Sequence, residues 1–200
     1  MPGKNKTVTM TYAALMTALA IILSYFPEIP LAFFAPWLKL DFSFTPLLLL
    51  GFSCGPVMLI LALLITNAVH ILGGTTGMVG ELANLIVGLA FLMPPTLLYR
   101  ASRTRRSALT GMGIGSLLMI IAGVISNRYI LLPTFFGPNF SEALQGMGMS
   151  LNGYLFAAIA PFNLIKAVLN SAIAYSLYKR MSIILKEAEH DAEVPHKVKG

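Results

Sequence analysis

The sequence has very few charged residues for its length. Only 11% of its 200 residues are Asp, Glu, Lys or Arg, whereas 56% are apolar. A soluble domain carries about 25% charged residues, so too few remain here to cover a surface that faces water. The long apolar runs, separated by short polar segments, indicate a chain whose solvent is lipid.

The residues of several common enzyme sites are also missing. The single cysteine, Cys54, excludes an internal disulfide and a metal cluster held by cysteines. The sequence contains neither a GxxxxGK[ST] loop for ATP nor an HExxH zinc motif, and no Ser or Cys lies in a nucleophile motif. These absences argue against an enzyme, and no cofactor and no metal are expected.

The apolar runs and their breakers predict an all-α integral membrane protein. A polar N-terminal tail, 1–8, precedes a membrane domain, 9–185, and a charged tail, 186–200, is expected to be disordered. Within the domain, the Pro and Gly positions and the apolar runs predict helices at about 9–26, within 44–72, and at 80–100, 108–132 and 153–185. Pro133 is expected to end the fifth helix, and residues 134–152 to form a loop.

The stretch 44–72 is either one helix of 29 residues or two helices broken in the run GFSCGP, between Gly51 and Pro56. Eleven of the 14 Lys and Arg lie in the N-terminal tail, at 100–106, at 179–186 and in the C-terminal tail. The positive-inside rule places all four on one side of the membrane only if the stretch is broken. We therefore predict a six-transmembrane-helix bundle, with both termini cytoplasmic and a short second helix packed inside the bundle.

Polar residues within the predicted helices are candidates for a binding site, because they are costly in a membrane. Asn163, Lys166 and Asn170 share one face of the last helix, and Glu81 and Asn84 share a face of the fourth. Asn127 lies near the outer end of the fifth. Amide groups with one ammonium and one carboxylate suit a ligand rich in hydroxyls or amides. The alternative is that Lys166 pairs with Glu81 and the asparagines only join helices. His70, at a helix end, is expected to be an interface residue and not a ligand.

The first outer loop, 27–43, is rich in Pro and aromatic residues and also carries Lys39 and Asp41. Its aromatic residues, together with those of the last outer loop, are Phe33, Phe34, Trp37, Phe42, Phe135, Phe136 and Phe140. An interfacial aromatic belt accounts for part of this pattern. The rest predicts a long extracellular loop that caps a flat aromatic ligand, with Trp37, Lys39 and Asp41 as further candidate contacts.

The first helix carries two small residues four positions apart, Ala14 and Ala18. Small residues at this spacing let another helix approach closely. From the spacing alone, that helix is either a neighbour within the bundle or a partner protein.

Several segments resemble the substrate-binding S components of energy-coupling factor (ECF) transporters, and among these the riboflavin-specific ones. They are FFAPWLKLDFSFTPLLLLGFSCGP, GTTGMVGELANLIVGLAFLMPPTLLYR, NRYILLP and APFNLIKAVLNSAI, and the similarity spans about residues 8–182. It implies an ABC-type vitamin importer subunit of six helices, with the ligand near the outer surface under the first loop. Polar contacts to riboflavin would come from Glu81, Asn84, Asn127, Asn163 and Lys166. Ala14 and Ala18 would dock on a transmembrane T component, which two ATPase subunits energise.

The expected function is thus to bind riboflavin outside the cell and deliver it inward. Because no phosphate-selective Arg cluster is evident, the neutral vitamin is expected rather than its phosphate, FMN. Three alternatives stay open: an S component for another vitamin or a modified base, a small membrane-embedded enzyme that uses Glu81 with Lys166, and a self-sufficient secondary transporter. The halves of the chain show no inverted repeat to favour the last.

Overall fold

The computed structural model describes residues 6–26, 29–30, 38–73 and 77–193, and this part of the chain is almost entirely helical. Its helices are α1 (Lys6–Tyr25), α2 (Phe44–Cys54), α3 (Pro56–Gly73), α4 (Gly77–Ser102), α5 (Arg105–Ser126), α6 (Leu132–Phe136), α7 (Phe140–Gly146), α8 (Leu151–Gly153) and α9 (Ala160–Glu193). Two π-helical segments connect neighbouring helices: the first π turn, Asn127–Leu131, joins α5 to α6, and the second π turn, Tyr154–Ile159, joins α8 to α9. Strands β1 (Ile29–Pro30) and β2 (Lys39–Leu40) pair antiparallel, with Ile29 opposite Leu40.

Five helical rods are long and apolar enough to cross a membrane. They are Lys6–Tyr25, Pro56–Gly73, Met78–Ser102, Arg105–Phe136 and Leu151–Tyr178. The shorter apolar helix α2 completes the bundle. The protein is therefore a multi-pass membrane protein, as the composition predicts.

The predicted break within 44–72 is confirmed. Only Gly55 separates α2 from α3, and its φ of 93° is a conformation that L side chains rarely adopt. With 11 residues, α2 is about 16 Å long at 1.5 Å per residue. Its residues from Phe44 to Phe52 are all buried, so α2 lies inside the bundle as expected for a piece too short to span it.

The other helices surround α2. It packs against α1, α3, α4 and α9, while α5 packs between α4 and α9. The core between them is apolar, with Phe44, Leu48, Leu63 and Phe91 fully buried. The outward faces are apolar as well, because they face lipid and not water.

Helix α4 contains Pro94 and Pro95 in its interior. A proline has no backbone N–H, so Pro95 leaves the Phe91 carbonyl without its usual donor four residues on. The backbone of α5 lies against this carbonyl at Gly115, where an added Cβ would be 2.3 Å from the Phe91 oxygen. One turn away, a Cβ on Gly111 would be 2.4 Å from the Pro95 Cα. The two glycines thus allow the closest helix approach in this part of the bundle.

The prediction that the fifth helix ends at Pro133 is wrong, because the rod continues to Phe136. In the first π turn, the Leu132 N–H donates to the Asn127 carbonyl, five residues back. Pro133 then lies in the first turn of α6, where a missing N–H is tolerated. The π turn therefore removes the conflict that the proline would create in an uninterrupted α-helix.

The predicted loops are also shorter than expected. The segment 134–152 contains α7, whose Leu144 is buried against Leu38 and Tyr154. At the other end of the bundle, α4 and α5 are separated only by Arg103 and Thr104. The last helix does not end at Leu185 but continues to Glu193, because the Ala, Glu and Lys of this tail favour a helix despite their charge. The remainder of both predicted tails, 1–5 and 194–200, lies outside the described residues.

We predict that Gly115→Ala destabilises the protein by about 1–3 kcal/mol, because the new methyl group overlaps the Phe91 carbonyl and must push α4 and α5 apart. Gly113→Ala is the matched control, since a Cβ at Gly113 meets nothing within 4 Å. Thermal unfolding of the purified variants in detergent measures both. Equal melting temperatures for the two variants would contradict the proposed close contact.

Candidate functional site

One cavity collects polar side chains from several helices at the end of the bundle opposite the Arg103–Thr104 turn. The cavity has a volume of about 100 Å³. One water molecule needs roughly 10–15 Å³ of such space, so the cavity is too large to be a packing defect. Residues of α1, α3, α4, α9, the first π turn and the segment around β2 line it: Ser24, Leu38, Lys39, Asp41, Thr66, Asn67, His70, Gly80, Glu81, Ala83, Asn84, Val87, Asn127, Leu131, Phe162, Asn163 and Lys166.

Most of the binding residues predicted from the sequence lie in this cavity. The lining includes Lys39, Asp41, Glu81, Asn84, Asn127, Asn163 and Lys166. Asn170 is fully buried directly behind the lining. Trp37, Phe33 and Phe34 lie outside the described residues, so the capping loop stays a prediction there. Ala14 and Ala18 are exposed on α1, away from the cavity.

A buried ion pair forms one wall of the cavity. The Lys166 Nζ donates to the Asp41 Oδ2 at 2.6 Å and to the Asn84 Oδ1 at 3.3 Å. It also lies 4.7 Å from the centre of the Phe44 ring, on its face. Lys166 is only 4% exposed, so the carboxylate of Asp41 is what balances its charge inside the membrane domain.

Several hydrogen bonds hold Asp41 in this position. Its Oδ1 accepts from the Ser43 backbone N–H at 2.9 Å and from the Ser43 hydroxyl. Its backbone carbonyl accepts from the Asn170 Nδ2 at 3.1 Å. Asp41 directly follows strand β2, so Lys166 and Asn170 together tie the stem of the first outer loop to α9.

Four asparagines in and behind the cavity lining are each oriented by their own helix. Their Nδ2 groups donate to the backbone carbonyl four residues earlier: Asn67 to Leu63, Asn127 to Gly123, Asn163 to Ile159 and Asn170 to Lys166, all at 2.8–2.9 Å. One N–H of each amide is thereby satisfied and its plane is fixed. The remaining N–H and the carbonyl oxygen are left for other partners.

A chain of hydrogen bonds links three of these helices through the amides. The Asn84 Nδ2 donates to the Asn67 Oδ1 at 3.0 Å, while its own Oδ1 accepts from Lys166. The path from α9 through α4 to α3 is thus continuous. By contrast, the Asn163 Oδ1 has no hydrogen-bond partner in the part of the chain that the structure describes, and it lines the cavity.

The two π turns meet beside the cavity. Asn127 is the first residue of one, and Tyr154 is the first residue of the other. The Tyr154 hydroxyl donates to the Asn127 Oδ1 at 3.0 Å and so connects the two rods. A π turn rotates the residues that follow it and is frequent at functional sites. Asn127 itself lies one turn after Gly123, on the buried face of α5, and the π turn begins at the point where this side chain reaches the cavity.

Gly123 makes room for Asn163. A Cβ at this position of α5 would be 2.3 Å from the Asn163 Nδ2. A larger residue would therefore displace an amide that lines the cavity.

Glu81 does not pair with Lys166, contrary to the alternative considered from the sequence. Its Oε1 lies 3.0 Å from the Nδ1 of His70, whose ring stacks on Tyr25 with centroids 4.7 Å apart. The Tyr25 hydroxyl donates to the Val69 carbonyl at 2.9 Å. His70 thus has a side-chain partner, and it also lines the cavity.

Sequence reasoning missed Asn67, Thr66 and Ser24, which line the cavity as well. Asn67 and His70 are three residues apart within an otherwise apolar run, so the same one-face criterion would have found them. Among the described residues, no group of three or more His, Cys, Asp or Glu side chains could hold a metal ion.

Comparison with known proteins gives consistent results. The family model "ECF transporter, substrate-specific component" matches residues 8–178. The chain is 34% identical to "Riboflavin transporter RibU" of Staphylococcus aureus over 86% of this chain and 89% of that protein. It is 27% identical to "Riboflavin transporter FmnP" of Bacillus subtilis over 84% of this chain and 87% of that protein. A solved structure described as "Structure and mechanism of the S component of a bacterial ECF transporter" superposes with a TM-score of 0.75. It is 31% identical and covers 91% of this chain and 99% of its own.

We predict that Lys166→Met and Asp41→Asn each destabilise the protein by about 3–5 kcal/mol, because each leaves a buried charge without its partner. The double variant should lose less than the sum of the two. Chemical unfolding in detergent measures the three values, with the exposed Lys6→Met as a control. Additive losses would show that the two charges do not interact.

Proposed function

The chain belongs to the substrate-specific components of ECF transporters, and from that premise we propose that it binds riboflavin in the cavity described above. It is a transport protein and not an enzyme. The observation that carries the proposal is the convergence of Asn84, Asn127, Asn163 and Lys166 on one cavity. The names of the relatives in Staphylococcus aureus and Bacillus subtilis support riboflavin over another vitamin or a modified base.

The chemistry of the cavity suits this ligand. Leu38, Val87, Leu131 and Phe162 supply an apolar wall against which a flat ring system can pack. The amides and charged groups opposite can pair with ring amides and with the hydroxyls of the ribityl chain. The unpartnered Oδ1 of Asn163 is an acceptor for such a hydroxyl or ring N–H.

The charges around the cavity favour the neutral vitamin over FMN. The lining contains two lysines, Lys39 and Lys166, and two carboxylates, Asp41 and Glu81. Lys166 is already paired with Asp41 at 2.6 Å. A phosphate, which carries about −1.5 to −2 charges at pH 7, would add uncompensated negative charge beside these carboxylates.

A partner surface is proposed on α1. The face that contains Ala14 and Ala18 is exposed, together with the large apolar residues Met10, Leu15 and Ile22. Helices α2 and α3 pack on the other side of α1. We infer that Ala14 and Ala18 receive a helix of the transmembrane T component, and that two ATPase subunits supply the energy for delivery.

The orientation follows from the basic residues. The cavity lies at the end of the bundle opposite Arg103, Arg105 and Arg106. The positive-inside rule puts these arginines in the cytoplasm. The cavity then opens outward, and both termini are cytoplasmic in a bacterial cell membrane.

We predict that riboflavin fluorescence is quenched near stoichiometry when the purified protein is titrated with the vitamin in detergent.

In the same titration, Asn163→Ala should weaken riboflavin binding about 2- to 10-fold, as expected for the loss of one hydrogen bond. FMN should bind to the wild type at least about 10-fold more weakly than riboflavin because of charge repulsion. Ser176→Ala, which is exposed and remote, is the control. Absence of quenching at micromolar ligand would overturn the proposal, and equal affinity for FMN would overturn its charge argument.

Ala14→Trp and Ala18→Trp are expected to abolish vitamin uptake in cells while riboflavin binding by the purified variants is unchanged. An indole at either position would keep the partner helix at a distance but lies far from the cavity. Leu117→Trp, on the exposed face of α5, controls for a bulky residue in contact with lipid. Loss of uptake in this control as well, or loss of binding in the Ala14 variant, would refute the assignment of the α1 surface.

A further inference from the structure

A second, apolar groove lies between α5 and α9, in the halves of these helices that are nearer the Arg103–Thr104 turn. Its volume is about 270 Å³. Helix α5 contributes Leu109, Gly113 and Ser116, and α9 contributes Val168, Ser171 and Tyr175. None of these residues lines the polar cavity. Helix α1 packs against α2 and α3, so the groove is not part of the α1 surface.

Two residues of the groove differ from its apolar lining: Gly113, which leaves open space, and Ser171, which carries a buried hydroxyl. An added Cβ on Gly113 would meet nothing within 4 Å, so the missing side chain leaves real space. The Ser171 hydroxyl is buried and has no hydrogen-bond partner among the described residues. The burial of this hydroxyl keeps it out of reach of an occupant, so the space beside Gly113 is the feature of the groove that an occupant would fill.

One end of the groove is strongly basic. Arg103, Arg105 and Arg106 are exposed there, and Leu109 lies about one helical turn from Arg105. Apart from Glu142, which is on the opposite side of the bundle, the sequence has no Asp or Glu between 82 and 186. No acidic side chain of α5, or of α9 up to Lys186, therefore offsets this positive charge.

The groove and the arginines beyond its end together extend over about the depth of one lipid leaflet. Eleven residues separate Arg105 from Ser116, which is about 16 Å along a helix. This is roughly half of the 30 Å hydrocarbon thickness of a bilayer. A molecule with its anionic group at the arginines and its hydrocarbon chain along Gly113 would match both ends of the groove.

We propose that this groove binds an anionic phospholipid from the leaflet that faces the arginine-rich turn. Its phosphate contacts Arg105 and Arg106, and one acyl chain occupies the space left by Gly113. A neutral phospholipid would fill the same groove but gain less from the arginines.

Native mass spectrometry of the purified protein tests this proposal, with phosphatidylglycerol and phosphatidylcholine of the same acyl chains added in separate samples. The wild type should retain phosphatidylglycerol at least about 5-fold more than phosphatidylcholine. Gly113→Leu, which fills the groove, should remove most of the retained lipid. Thr110→Leu, which is exposed on the same helix but does not line the groove, should retain it. The double variant Arg105→Gln, Arg106→Gln should remove the preference for phosphatidylglycerol.

Three results would overturn the proposal. Equal retention of both lipids by the wild type would refute the role of charge. Equal retention of phosphatidylglycerol by the wild type and Gly113→Leu would refute the groove and leave only general attraction to the arginines. A dimer or a bound protein in place of lipid would identify a different occupant. Thermal unfolding of Gly113→Leu verifies that it folds, and none of these outcomes depends on riboflavin binding.

Discussion

The ion pair between Lys166 and Asp41 is the interaction on which the site depends. A lone ammonium inside a membrane domain is unfavourable by several kcal/mol, so Lys166 is stable there only because a carboxylate lies 2.6 Å away. Asp41 belongs to the stem of the first outer loop and Lys166 to the last long helix. The need to neutralise one charge therefore fixes the relation between two parts of the chain that are 125 residues apart, and it places Asn84, which also contacts Lys166, at the same point.

The remaining polar groups follow from the same constraint. Since lipid offers no hydrogen bonds, the asparagines donate to carbonyls of their own helices and accept from one another or from Tyr154. This arrangement rigidly orients the amides before any ligand arrives. Because these amides are already held in place by hydrogen bonds, they lose less conformational entropy when a ligand binds. Gly123 provides the space that the Asn163 amide requires, and Tyr154 of the second π turn contacts Asn127 of the first.

Much of this architecture was predictable from the sequence, because membrane insertion imposes strong rules. The distribution of Lys and Arg indicates a break within 44–72. Because polar residues are energetically unfavourable in membrane helices, Asn84, Asn127, Asn163 and Lys166 could be selected as candidates. The partner of Lys166 was not predictable, because the pairing depends on how the loop stem folds back over α9. The continuation through Pro133 was missed, since a π turn leaves no recognisable pattern in a single sequence. Asn67 was not among the predicted site residues, although the sequence places it three residues before His70, on the same helical face.

The proposed function requires that the amides of α4, the first π turn and α9 and the ammonium of Lys166 surround one ligand. A structure of the purified protein determined with riboflavin would show whether they do. We expect flavin density in the cavity, with polar atoms of the vitamin within hydrogen-bond distance of Asn84, Asn127, Asn163 or Lys166. Flavin bound elsewhere on the protein, with these side chains still packed only against each other, would contradict it.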